Sequence, residues 1–180
     1  MNTNTKKELK SWGKSLFIAL GISFVVRTFL VAPYIVEGAS MEPTLHNHDK
    51  IFVNKLHLKE DFKRGEIGLI QGKTENYVKR IIGLPGDTIL MKDDQLYVNG
   101  NLTEEPYLSH NRKLTEQMGG GRLTGDFGPV NVPKNEFFVM GDNRLYSMDS
   151  RNGLGFIPRD EIVGQSEMVY FPFKNVRKTN

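Results

Sequence analysis

The segment DTILMKDDQLYVNGNL, Asp87 to Leu102, constrains the fold of this chain more than any other. Apolar and polar residues alternate around two tight-turn signals, Asp93-Asp94 and Asn99-Gly100. Asn-Gly is a preferred pair for a two-residue turn in which both residues take positive φ, and such a turn joins antiparallel neighbours. Three successive strands are expected here, because a helix would need an apolar period near 3.6 rather than 2. DKIFVNKL, GEIGLIQG, YVKRIIG, EFFVMGD and SEMVYFPF read the same way: short, apolar-rich and bounded by turn residues. From Pro33 onward the expectation is a mainly β domain of antiparallel sheet. A polar, glycine-rich stretch from about Tyr107 to Pro129 (107–129) is expected to make a long surface excursion between strands. No internal repeat or linker divides residues 33–180.

The N-terminal part obeys a different rule. Lys6, Lys7, Lys10 and Lys14 precede the uncharged run Ser15 to Val26, and apolar character resumes after Arg27 in TFLVAPYIV. That run is shorter than the roughly 20 residues that span a bilayer, but a helix from about Ser11 to Val31 puts Arg27 near the far interface, where its stem snorkels. One transmembrane anchor over residues 15–32 is expected. The positive-inside bias then makes residues 1–14 cytoplasmic and residues 33–180 extracytoplasmic. A cleavable signal peptide has the same general form. Pro33 and the bulky run Tyr34-Ile35-Val36-Glu37 fit its small-residue cleavage site poorly, which favours an uncleaved anchor.

Composition excludes more than it identifies. The 24 basic and 21 acidic side chains leave a net charge of +3, far from the dense basic stripe of a nucleic-acid binder. The chain has no cysteine, so disulfide frameworks, thiolate zinc sites and thiol catalysis are excluded together. His46 and His48 in HNHD look like the start of a metal cluster, but no His-Glu-x-x-His helix or second cluster follows, and no metal or other cofactor is expected. His57 and His110 lie in polar surroundings, and a Ser-His-Asp triad stays open because its members meet only in space.

Three short segments carry candidate chemistry. In GASMEPTL, Ser40 sits among small and apolar neighbours and is either a turn residue or a nucleophile. In NYVKRIIG, period two puts Tyr77, Lys79 and Ile81 on one face and Val78, Arg80 and Ile82 on the other, so each mostly apolar face takes one cation. Arginine keeps its proton almost anywhere, whereas a buried lysine loses ~3–5 pKa units and becomes a neutral amine. Lys79 is then a base for Ser40; the alternative is that Lys79 and Arg80 guard an edge strand against aggregation. The third segment, MGDNRLYSMDSRNGLGFIP, follows an apolar strand and offers Ser147 to orient a lysine amine. It also offers Asp142, Arg144, Asp149 and Arg151 for ion pairs.

SMEPTL soon after an N-terminal apolar segment, then YVKRIIGLPGD, then GDNRLYSMDSR, in that order, resembles the bacterial type I signal peptidases, particularly the small single-span Gram-positive forms. The resemblance runs from about Trp12 to Pro172. It implies a serine/lysine membrane endopeptidase of the signal-peptidase fold that removes signal peptides from exported preproteins at the outer face of the bilayer. By position it implies Ser40 as nucleophile, Lys79 as general base, Ser147 as the hydroxyl that positions the lysine, and Asp149 with Arg151 as a supporting pair. It also implies that Asp142 pairs with Arg80. Val36, Met41, Pro43, Leu45, Tyr77 and Val78 match a shallow apolar groove in which an extended substrate adds as a strand with small residues nearest the cut.

Two positions depart from the family pattern. Gly38 stands where some members carry a serine that helps bind the oxyanion, and Glu66 and Gly68 stand where an aspartate and an aliphatic residue are usual. Two other classes stay open: a membrane-anchored peptide-binding module without turnover, and a serine/lysine peptidase with one dedicated substrate.

Overall fold

The computed structural model describes residues 3–56 and 62–179. It opens with helix α1 (Thr3–Phe29), on which the side chains of Trp12, Phe17 and Phe24 are exposed. The helix stops at Phe29 rather than Val31, because Val31 and Ala32 already pair with Asn54 and Val53 in the first antiparallel ladder. Residues 31–32 of the expected anchor are therefore strand. No helix among the described residues is long and apolar enough to cross a membrane.

Twelve strands follow among the described residues. They are β1 (Val31–Ile35), β2 (Lys50–Asn54), β3 (Ile67–Gln71), β4 (Asn76–Gly83), β5 (Thr88–Lys92) and β6 (Gln95–Val98). After β7 (Asn101–Thr103) and helix α2 (Ser109–Gln117) come β8 (Phe127–Asn131), β9 (Glu136–Met140), β10 (Ile157–Pro158), β11 (Ile162–Phe171) and β12 (Arg177–Lys178). The larger sheet runs β1-β2-β11-β3-β4-β9-β10 with β12 paired to β11, and the smaller runs β7-β6-β5-β8. Every ladder is antiparallel. The chain has the mainly β, antiparallel architecture its turn signals demand.

Those turns form where the residues permit positive φ. Asp93 and Asp94 have φ of 51° and 61°, and Asn99 and Gly100 have 53° and 81°. They close β5 onto β6 and β6 onto β7. The polar stretch after Tyr107 is more ordered than its composition indicates. It contains α2, buries Leu108 and Leu123, and is pinned where the Asp94 carboxylate accepts the backbone N–H groups of Leu123, Thr124 and Gly125. Its last residues, from Phe127, belong to β8.

Strand β4 organises the site. Its side chains enter three buried clusters: Val78 with Val36, Met41, Leu45 and Ile51; Ile82 with Ile89, Met91 and Phe138; Ile81 with Ile70, Phe137 and Val139. Apolar burial on both faces explains why β4 lies between β3 and β9, and both cations are buried rather than facing solvent, which sets aside the aggregation-guard reading of Lys79 and Arg80. Strand β9 covers only Arg80 to Gly83, so residues 76–79 keep one unpaired backbone edge.

Candidate active site

Ser40 lies in the tight loop between β1 and β2. Met41 and Leu45, both completely buried, anchor that loop from below, and the Leu45 N–H donates to the Met41 carbonyl. This leaves Ser40 at the surface of the core. Its Oγ is hydrogen-bonded at 2.6 Å to Lys79 Nζ, 39 residues on.

The lysine is only 3% exposed. Burial lowers its pKa from 10.5 to about 8; Asp149 opposes that shift and Arg151 reinforces it. Directly across the ladder from Lys79 is Gly68. A Cβ there would stand 3.4 Å from Ile162 Cγ2 and 3.9 Å from Ile81 Cδ1, so the space facing the amine's strand position is apolar.

Arg80, on the opposite face, is treated in the reverse way. Its guanidinium grips the Asp142 carboxylate through Nε at 2.8 Å and Nη2 at 2.6 Å, bonds the Gly65 carbonyl, and stacks 4.0 Å from the Tyr107 ring centroid. Asp142 also accepts the Thr44 hydroxyl at 2.5 Å. The Ser40 loop, β4 and the loop after β9 are thereby joined through one buried carboxylate.

The loop after β9 is shaped by a second set of polar contacts. Asp149, fully buried, accepts the Gly141 N–H at 3.0 Å and two bonds from the Arg151 guanidinium at 2.8 Å each. Burial alone would raise its pKa, but Arg151 and the Gly141 N–H hold it below the ordinary carboxylate value. Arg144 is bound to Glu105, which accepts the Tyr107 hydroxyl at 2.8 Å, and its Nε donates to the Gly141 carbonyl at 3.0 Å. Burial and the neighbouring Glu105 charge push the Tyr107 pKa upward.

Ser147 departs from its expected contact. It is buried beside Asp149, whose pKa its hydroxyl helps to lower, and its Oγ makes no hydrogen bond to Lys79. Gly141 leaves the room it occupies, since a Cβ there would overlap the Ser147 side chain and the Ser40 carbonyl.

The structure brings Ser40, Lys79, Ser147, Asp149, Arg151, Asp142 and Arg80 into one region. It separates the expected groove residues. Tyr77 and Val78 line a shallow cleft of about 310 Å³ beside Ser40, together with Glu37, Gly38, Ala39, Glu75 and Asn76. Val36, Met41 and Leu45 do not line it, because they form the floor cluster beneath. Tyr146 and Met148, which the sequence did not single out, complete the wall. Thr44 and Asn111 were missed as well; Asn111 Nδ2 donates to the carbonyls of Glu42 and Asp142. Nothing in an isolated threonine or asparagine signals a partner so distant in sequence.

Among the described residues no cluster of His, Cys, Asp or Glu is suited to a metal ion. His46 sits 3.7 Å from Glu42, His48 occupies a turn at φ 66°, and His110 is exposed. His57 lies outside the described residues.

Residues 9–171 match the family described as "Signal peptidase, peptidase S26". The chain is 54% identical over 178 residues to "Signal peptidase I" of Bacillus amyloliquefaciens, covering 98% of this chain and 96% of that one. It is also 54% identical over 188 residues to "Signal peptidase I T" of Bacillus subtilis, covering 99% and 97%. Among solved structures, a signal peptidase I from Enterococcus faecalis superposes with a TM-score of 0.54 at 32% identity, over 59% of this chain and 97% of that one.

Proposed function

We propose that this chain, which belongs to the signal peptidase (peptidase S26) family, is a membrane-bound serine endopeptidase that removes signal peptides from exported preproteins with a Ser40/Lys79 dyad. The observation that carries the dyad is the 2.6 Å contact between Ser40 Oγ and a buried lysine whose pKa lies at about 8. The neutral amine takes the hydroxyl proton as Oγ adds to the scissile carbonyl carbon. The resulting ammonium returns that proton to the departing amine as the C–N bond breaks. In the second half-reaction the same amine removes a proton from water, which attacks the ester and frees Ser40.

The unpaired edge of residues 76–79 accepts the substrate as an added strand, and its side chains enter the shallow cleft lined by Tyr77 and Val78. A cleft of about 310 Å³ spread along several residues suits small side chains near the cut. The lipid bilayer is the second partner. Lys14 and Arg27 flank the uncharged residues 15–26 of α1, on which Trp12, Phe17 and Phe24 project away from the protein. We assign α1 as the anchor, with its lysine-rich end cytoplasmic and the β domain outside. An anchored enzyme meets membrane-tethered substrates at raised effective concentration.

The test is incubation of the purified chain with one labelled preprotein and sequencing of the new N-terminus. Cleavage after a small residue is expected, and Ser40→Ala and Lys79→Ala should each abolish it while remaining folded. Substantial cleavage by either variant would exclude the dyad, and digestion of the β domain in intact protoplasts checks its topology.

A further inference from the structure

The oxyanion that forms on the scissile carbonyl needs donors that are in place beforehand. Gly38 brings no hydroxyl, and its N–H is already committed to Asn47 Oδ1 at 3.0 Å. The Ser40 N–H donates to no acceptor among the described residues and adjoins the nucleophile. It belongs to the Ala39–Ser40 peptide, a planar unit in which N–H and C=O point in opposite directions. Whatever holds the Ala39 carbonyl therefore aims the Ser40 N–H.

Asn143 holds it. Its side-chain Nδ2 donates to the Ala39 carbonyl at 3.0 Å, and its backbone N–H donates to the Ser40 carbonyl at 3.0 Å. One residue thus grips the peptide planes on both sides of the Ser40 Cα. A bond to the carbonyl oxygen also polarises the same amide and strengthens its N–H as a donor. The neighbouring Asp142 and Arg144 are fixed by buried ion pairs, so the residue between them is held on a rigid base. Asn111 provides the contrast. It bonds the carbonyls of Glu42 and Asp142 and tightens the same junction without touching the Ala39–Ser40 peptide.

We propose that Asn143 is a positioning residue for the oxyanion hole, acting through the Ala39 carbonyl to aim the Ser40 N–H at the developing negative charge. The inference rests on the reading of Ser40 as the nucleophile.

The test compares Asn143→Ala, Asn143→Leu and Asn111→Ala in the full chain in detergent, against a signal-peptide substrate and a peptide aldehyde. Ser40 Oγ adds to the aldehyde carbon, and the hydroxyl proton passes by way of Lys79 to the former carbonyl oxygen, giving a hemiacetal with that oxygen in the hole. Losing an oxyanion donor outright typically costs about 10²–10³ in rate, so loosening one should cost about 10 to 100-fold in kcat. Both Asn143 variants should show that loss with KM within about twofold, because the ground-state carbonyl gains little from the hole. Aldehyde affinity should fall by the same factor, and the acid limb of activity should stay near pH 8. Asn111→Ala should lower thermal stability without that matched pair of losses. If Asn143→Ala does not fold, Asn143→Leu preserves bulk and the backbone bond and decides alone. A kcat within about threefold of the parent, or a loss of kcat with unchanged aldehyde affinity, would overturn the proposal. Ser40→Ala retaining activity would overturn the reading beneath it instead.

Discussion

The proposed role of Lys79 as general base, with a pKa of about 8, predicts the steepness of the pH profile as well as its position. Only free enzyme carrying the neutral amine reacts, so kcat/KM follows the neutral fraction. That fraction is about 9% at pH 7 and about 91% at pH 9 for a pKa near 8, a rise of about tenfold. An unperturbed lysine at 10.5 would give about a hundredfold rise over the same interval, and a histidine base near 6.5 only about 1.3-fold. The same burial acts on stability. The folded-state pKa is depressed, so between pH 8 and 10.5 the unfolded chain binds more protons and stability rises with pH. Across that window the gain is ~3 kcal/mol, and below it the penalty for protonating Lys79 is fully present. Lys79→Met removes the penalty. At pH 7 it should raise the melting temperature by about 6–12 °C at about 2–4 °C per kcal/mol, while abolishing activity. The assays are kcat/KM on one peptide from pH 6 to 10 and calorimetry of both proteins at pH 7 and 10. A hundredfold rise from pH 7 to 9, or Lys79→Met less stable than the parent at pH 7, would refute the claim that burial sets the base.

Three further outcomes follow from single contacts. Gly141→Ala should lower kcat/KM by about a hundredfold in steady-state assays, because its Cβ would stand 2.6 Å from Ser147 Cβ and displace the Ser40 carbonyl. Gly38→Ser should change kcat/KM by no more than about tenfold and cost ~1 kcal/mol in urea unfolding, since Gly38 has open space around it but a φ of 83°. Arg151→Met should move the acid limb to higher pH, because it removes a cation that disfavours protonated Lys79 and frees Asp149 to favour it; an unmoved limb would contradict this.

Much of the scaffold is visible in the sequence because it is local. Asp93-Asp94 and Asn99-Gly100 require positive φ, and the structure turns at both. The faces of β4 could be read from period two, but not that both of its cations are buried, since that depends on β3 and β9 arriving from distant positions. The pairing of Asp142 with Arg80 came from the family resemblance, whereas Thr44, Asn111 and Asn143 were missed because each acts through a carbonyl or carboxylate far away in sequence. Met41 and Leu45 were read as groove because they flank Ser40; they are buried in the core cluster beneath it. The excursion after Tyr107 looked like a polar loop, and Asp94 orders it through three backbone bonds that composition does not reveal.

The two neighbouring cations on β4 show why this site needs so many charged residues around one neutral amine. Arg80 cannot surrender its proton, so its burial requires a carboxylate, and Asp142 supplies it with two bonds. A carboxylate placed equally close to Lys79 would do harm, because it would keep the amine protonated. Asp149 is nevertheless needed there to fix the loop through the Gly141 N–H. Arg151 resolves the conflict by taking both carboxylate oxygens, so that the field reaching Lys79 is that of a nearly neutral pair and burial decides its pKa. In the proposed mechanism the Asp149–Arg151 pair serves the base by cancelling a charge the loop could not do without.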